Sequence, residues 1–285
     1  MNNLLNVSGM MDKIENKGLL FNVSTSPIST EHGLIKGKKA IINADTGEAL
    51  GIVSNRYKVV PNAEIFEGFA NSIVASNLDT TDMSVNVIAT PNRSRSIVDF
   101  VFPAERFSVA GDTSSTALSI TALNSYDGTT RFVAKAGGLR MKCMNGQILG
   151  KVAGSYSSTH TQSLDVDAGA ERVISMIKDF QQSKEYFTHL MSQRIPLDLA
   201  QYVLLRFLNL DSINDDSRSN KRYLKLLNTF ADYSREMGMN AYALYNCLTD
   251  HVTHAEPRNE DSTAISAFRN RRRLEKLLES EAIFH

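Results

Sequence analysis

The sequence predicts an α+β fold: an antiparallel β-meander with an N-terminal hairpin and a short helix, followed by a helical C-terminal half. Three observations carry this. Short runs of alternating apolar residues, separated by turn signals, recur between Met83 and Ala134. After about residue 165 the apolar spacing changes to the helical period of about 3.6. The extended runs therefore precede the helical ones and do not alternate with them, which excludes a βαβ arrangement.

The elements follow in order. Residues 1–35 carry Pro27 in a Ser/Thr-rich patch and predict an irregular N-terminal arm. Lys39–Asn43 and Ala49–Val53 flank a turn with Gly47, which predicts a hairpin. Tyr57–Val60 is a further short extended piece. Pro61-Asn62 opens a helix with Ile65, Phe66, Phe69 and Ile73 at helical spacing. The predicted strands Met83–Ala89, Arg93–Phe102, Thr116–Leu123 and Thr130–Ala134 follow, with Gly137-Gly138 and Asn145-Gly146 as breaks near the end. Asp167–Gln193 reads as one long amphipathic helix. Leu197–Leu210, Asn220–Met237, Asn240–Thr253 and the basic stretch Ala264–Ser280 read as four more. The implied organisation is an arm over 1–35, a β-rich core domain over 36–164 and a helical region over 165–285.

Composition narrows the function classes. Thirty-one Lys and Arg face 31 Asp and Glu, so no global field draws the chain to nucleic acid. The zero is a sum of unlike regions. From Pro91 to Lys151 eight cations face four carboxylates, and from Asp165 to Asp216 nine carboxylates face five cations. The sheet block is therefore the better place for an anionic partner. Arg93, Arg95, Arg131, Lys135, Arg140 and Lys142 are the candidate phosphate contacts, with Tyr126, Phe132 or Tyr156 as platforms for stacked bases. Two cysteines make no disulfide framework and suit a reducing compartment. The N-terminus lacks a signal-peptide pattern, and no apolar run approaches the roughly 20 residues of a bilayer span. A cytoplasmic protein without a membrane partner is expected.

Motifs for chemistry are few. There is no phosphate-binding GxxxxGK[ST] loop and no G-x-S-x-G elbow. Cys143 and His160 lack local support as a nucleophile and base. His251 and His254 lack a third metal ligand at suitable spacing. The pairs Asp165/Asp167 and Asp215/Asp216 read as caps and linker charges. No cofactor, metal or catalytic residue is assigned.

Several segments carry a resemblance. Leu50-Gly-Ile-Val-Ser-Asn-Arg-Tyr-Lys-Val-Val-Pro-Asn-Ala-Glu-Ile-Phe66 resembles the opening motif of the phage/plasmid-like protein family catalogued as domain of unknown function 932. Leu139–Gly146 resembles its central block, with Cys143, Asn145 and Gly146 on matching positions. Ser158-Thr-His-Thr161 is similar to its following step, with Thr159 where a basic residue is commoner. Ala241–His251 is similar to its late helix, with Tyr245-Asn246 matched and Cys247 replacing a small alanine. The resemblance implies no settled activity. The family's setting implies handling of mobile DNA or countering of host systems. The layout is also similar to phage single-strand annealing proteins of the Red-beta and RecT class. The motif residues Arg56, Tyr57, Cys143, Asn145, Gly146, Tyr245 and Asn246 read as structural: a corner, a tight turn and a buried helix face.

The first expectation is therefore a non-enzymatic single-stranded-DNA-binding or annealing protein acting in recombination or replication as a homo-oligomer. The second is a protein-interaction module of a phage or mobile element without nucleic-acid activity. The third is an enzyme of unrecognised class, which requires Cys143, His160 and a carboxylate within hydrogen-bond reach.

Overall fold

A computed structural model describes residues 6–76, 78–142, 145–147, 155–177, 180, 182–210, 217–254 and 263–285. The α+β expectation holds. The chain forms two sheets and, among the described residues, eight α-helices that lie mostly in its C-terminal half. It divides into two compact units. One comprises Met1–Glu105, Leu118–Ala136 and Gly154–Lys178, and the other Arg106–Ala117, Gly137–Ala153 and Asp179–His285. These units cross the division drawn at 164/165, because the long strands contribute to both.

The first unit begins with α1 (Val7–Glu15), capped by Asn6 Oδ1, which accepts from Gly9 N–H at 2.9 Å. Then β1 (Val23–Thr30), β2 (Gly33–Asn43) and β3 (Ala49–Ser54) form an antiparallel three-stranded sheet in chain order. The irregular arm expected over 1–35 is thus a helix and a strand pair. Strand β1 is mostly Ser, Thr and Pro, so its extended form comes from pairing with β2 and not from its own pattern. The β2–β3 hairpin falls where Gly47 predicts it, and Gly47 takes a φ of 77°.

One face of this sheet packs around Ile41, Leu50, Val53 and Tyr126. Helix α2 (Asn62–Ala75) buries Ile65, Phe66, Phe69 and Ile73, and the Phe69 ring lies 6.4 Å from Phe100. Helix α3 (Val166–Met176) seats Gly169 against Tyr156, where an added Cβ would fall 2.9 Å from the ring.

The second sheet contains β4 (Ser84–Ala89), β5 (Arg95–Ser108), β6 (Ser115–Ser125), β7 (Phe132–Arg140) and β8 (Asn145–Gln147), paired in that order. Strand β9 (Ser155–Ser158) also pairs with β7. Strands β9 and β8 share the β7 edge end to end, along Phe132–Lys135 and Gly138–Arg140 respectively. Gly137-Gly138 therefore lies inside a strand and does not break one. Asn145-Gly146 likewise pairs with Arg140 and Leu139 in the ladder and is not the tight turn its sequence suggests. Pairing with β7 overrides the local turn preference.

The second unit is mainly helical: α4 (Ser183–Ser192), α5 (Leu197–Leu208), α6 (Ser217–Met237), α7 (Ala241–His254) and α8 (Thr263–Ser280), closed by a 3₁₀ turn at Ala282–Phe284. The single helix expected over Asp167–Gln193 is two, α3 and α4, each serving the core of its own unit. Phe180 lies between them and packs 4.9 Å from Phe107. Phe187 is ringed by Phe107, Tyr186, Tyr242 and Tyr245 at 5.4–6.0 Å. Helix α7 is buried without interruption from Ala241 to Thr249.

Candidate nucleic-acid interface

The expected DNA contacts fall in both units. Arg93, Arg95, Arg131, Lys135, Tyr126 and Tyr156 belong to the first, and Arg140 and Lys142 to the second. Most are engaged by the fold. Arg93 sits at the β4–β5 turn with φ 59° and donates to the carbonyls of Thr90 and Pro91 at 3.4 and 3.0 Å. Arg95 Nε donates to Asp127 Oδ2 at 2.7 Å. Arg131 is exposed and Lys135 half-buried.

Arg140 is the main correction. Its side chain is 1% exposed and donates to Asp112 at 2.5 Å and to Glu236 at 2.9 Å. A buried, paired guanidinium cannot contact a phosphate without breaking this network. Lys142, half-exposed, donates to the same Glu236 at 2.8 Å. Tyr242 O–H and Thr113 O–H complete the network by donating to Asp112 and Glu236 at 3.1 and 2.8 Å. Burial pushes the Glu236 carboxyl up, but hydrogen bonds from Lys142, Thr113 and Arg140, with the Arg140 charge, hold it down at about 2.

The stacking platforms are also corrected. Tyr126 is 1% exposed, and its hydroxyl accepts from Asn62 N–H at 2.8 Å. Phe132 is fully buried, and half-buried Tyr156 packs edge-on against it with ring centroids 6.0 Å apart. No base reaches the faces of Tyr126 or Phe132 while the core is packed.

The residues of the opening motif, with His160, converge on one corner of the first unit. Leu50 and Val53 enter the core beside Tyr126. Gly51 lies so close to Asp127 that an added Cβ would fall 2.5 Å from its Cα. Tyr57 O–H donates to the Ser125 carbonyl at 2.6 Å, and burial pushes its phenol far up. Its ring stacks on His160 with centroids 4.6 Å apart. Asn124 Nδ2 donates to Asn62 Oδ1 and to the Val60 carbonyl at 2.9 and 3.2 Å. His160 is buried, and neither ring nitrogen has a hydrogen-bond partner among the described residues. Burial lowers its pKa to about 4. Arg56 is exposed beside this corner.

Cys143 lies outside the described residues, as does the side chain of Asn145, while the Gly146 backbone is described within β8. Tyr245 and Asn246 are fully buried on α7, and Asn246 Nδ2 donates to the Tyr242 carbonyl one turn back. Cys247 is buried and free. Its thiol donates to the Leu226 carbonyl at 3.2 Å, and burial pushes its pKa far up. Among the described residues no group of three or more His, Cys, Asp or Glu is arranged to hold a metal ion, and no helix is long and apolar enough to cross a membrane.

The better-placed cations lie on a segment that the regional charge count passes over. Opposite β1, strand β2 carries Lys36, Lys38 and Lys39 without an intervening acid. Lys36 and Lys38 are exposed, Lys39 is half-buried, and among the described residues none of the three has a carboxylate within ion-pair distance. Beyond Lys38 the β1–β2 pair runs on without β3. Its register slips between Pro27 and Ser29, and an open groove of about 530 Å³ lies there. The three lysines line it with Thr25, Ser26 and Asn55. The sequence signal was present as K-G-K-K, but a short Gly-spaced triplet beside a patch read as irregular did not stand out.

A family model described as "Domain of unknown function (DUF932)" matches residues 49–278. No curated protein and no solved structure is found to match the chain.

Proposed function

We propose, for a chain that belongs to the domain of unknown function 932 family, non-catalytic binding of single-stranded DNA through the groove on the three-stranded sheet. The carrying observation is that groove: Lys36, Lys38 and Lys39 without carboxylate partners among the described residues, beside the hydroxyls of Thr25 and Ser26 and the amide of Asn55. Unneutralised ammonium groups attract phosphates and release their condensed counterions, while hydroxyl and amide donors fix the oxygens. The groove residues include no aromatic side chain. A strand held by its phosphates alone keeps its base edges free to pair with a complement. That favours annealing over storage. Action in recombination or replication of a phage or mobile element, in the host cytoplasm and as a homo-oligomer, belongs to the same proposal.

Fluorescence anisotropy with a labelled thymidine oligomer of about 30 nucleotides tests it at two salt concentrations. Binding should weaken with salt by a log–log slope of about −0.7 for each phosphate neutralised. Lys36→Ala/Lys38→Ala/Lys39→Ala should flatten that slope by about two and weaken binding at least tenfold. Binding that ignores salt or the triple substitution overturns the proposal.

A second reading has its own observation. Leu34, Ile35 and Ile52, on the same sheet, are 68, 43 and 61% exposed, which suits a protein partner docking on this face. Absence of oligonucleotide binding by the intact chain favours that reading.

A further inference from the structure

We infer that the open edge of β1 is a contact surface for a second copy of this chain, pairing antiparallel with the same edge of that copy. The inference rests on the homo-oligomer part of the reading above and not on its DNA part. Strand β1 ends the three-stranded sheet, with β2 on one side and no strand on the other among the described residues. Its own ladder shows which backbone groups face outward. The Asn22 carbonyl accepts from Ala44 N–H at 2.8 Å, across the β1–β2 pair. Antiparallel pairs alternate, so Ser24 and Ser26 turn their backbone groups toward Ile42 and Ala40. Val23, Thr25 and Pro27 then turn theirs to the open edge. Strand β2 shows the same alternation from its other side, where the Asn43 N–H donates to Glu48 and the Gly37 carbonyl accepts from Asn55. Pro27, which has no N–H, thus occupies an outward position where the ladder loses nothing.

Charged side chains commonly guard such an edge against pairing. Here no charged residue occurs from Gly18 to Thr30, so two copies meet without like charges opposed. Thr25 and Pro27 are exposed and Val23 is half-buried. The regular stretch of the ladder runs from Val23 to Pro27 and is centred on Thr25. With a two-fold axis at Thr25, the Thr25 N–H of each copy donates to the Thr25 carbonyl of the other. Each Val23 N–H donates to the opposite Pro27 carbonyl, so both outward donors are used. That carbonyl also accepts from Ser26 Oγ at 3.2 Å and keeps a second lone pair. The far edge of the sheet is not equivalent, because Gly51 of β3 lies against Asp127. The contact uses the same surface on both copies and closes at two. It also sets the two lysine-lined strands three strand spacings apart, roughly 14 Å, beyond the Debye length of about 8 Å at physiological salt. The two grooves then run antiparallel, the polarity in which complementary strands pair.

Sedimentation velocity of the full chain without nucleic acid, over a concentration series, tests the contact. The wild type should pass from monomer to dimer. Thr25→Pro removes both central bonds and should raise the dimer dissociation constant about tenfold. Its melting by circular dichroism should stay close to wild type, because the Thr25 N–H makes no bond within the β1–β2 ladder. Oxidative cross-linking gives a second measurement that does not depend on this variant folding. Hydrogen-bonded antiparallel pairs hold their Cα atoms about 5.5 Å apart, within disulfide reach. Thr25→Cys should therefore give a covalent dimer, and Ser24→Cys and the wild type far less. A wild type that stays monomeric up to its solubility limit overturns the inference. So does a dimer unaffected by a folded Thr25→Pro, or a cross-link stronger at position 24 than at 25. Anisotropy with the thymidine oligomer separates this outcome from failure of the groove reading. A monomer that binds the oligomer with a salt slope sinks the dimer alone, and a dimer that ignores the oligomer sinks the groove reading alone.

Discussion

The cations of residues 93–142 and those of β2 differ in what they face. Arg95 and Arg140 point at carboxylates, Lys142 shares one with Arg140, and Arg93 donates to backbone carbonyls. Lys36, Lys38 and Lys39 line an open groove without such partners among the described residues. The first group is rich in sequence-level net charge, yet much of it is neutralised where it stands. The second is modest in number but unspent. Excess charge over a segment thus says little about a binding surface until the pairing of each cation is known.

The largest effect expected from breaking this contrast is at Arg140. Arg140→Met strands the buried Asp112 carboxylate, 1% exposed, and leaves Glu236 with Lys142 and Thr113 alone. Removing one partner of a buried ion pair costs about 3–5 kcal/mol, which chemical denaturation would read directly. The double substitution Arg140→Met/Asp112→Leu should recover much of the loss, because no uncompensated charge then stays inside. If Arg140→Met is neutral for stability but weakens DNA binding, the guanidinium serves a ligand and the contrast collapses.

His160 supplies the next effect. Its folded pKa, about 4, lies below the ordinary 6.5. The unfolded chain therefore takes up a proton that the folded chain refuses. Stability is complete above about pH 6.5 and falls as pH drops toward 4, by roughly 3 kcal/mol in all. His251, lowered to about 4 as well, acts in the same direction and window. His160→Phe keeps a ring on Tyr57, removes two unpaired buried nitrogens and should reduce the pH slope by about one proton. A variant whose slope matches the wild type would show that His160 is solvated.

The corner around Tyr57 illustrates what was legible in the residues. Alternation and helical spacing placed α2, β4, β6 and most helices near their observed bounds, because burial imposes those periods directly. The opening motif was legible as a corner, but its reason was not. Gly51 is needed because Asp127, 76 positions later in the chain, passes within 2.5 Å of where its Cβ would sit. Long-range approach leaves no local trace. The same blindness hid the burial of Arg140 and Tyr126 and made strand β1 read as irregular. It also hid the break after α3, since Val173 and Phe187 keep a continuous helical register across it. Gly51→Ala should cost about 1–3 kcal/mol through overpacking against backbone, measured by denaturant midpoint. A neutral outcome would mean that the hairpin shifts freely on its core.

The smallest effect on stability belongs to the groove, and there the contrast is sharpest. Lys36 and Lys38 are exposed and make no ion pair among the described residues, so each alanine substitution should move stability by no more than about 0.5 kcal/mol. Lys39, half-buried opposite Pro27, should move it only slightly more. The same changes should flatten the salt dependence of oligonucleotide binding. Melting curves and anisotropy on the same three variants test both halves together. Lysines that stabilise the fold and leave the salt slope unchanged would resemble Arg95 and Arg140 in role. An unaltered melt with a flattened slope would mark charge held in reserve for a partner.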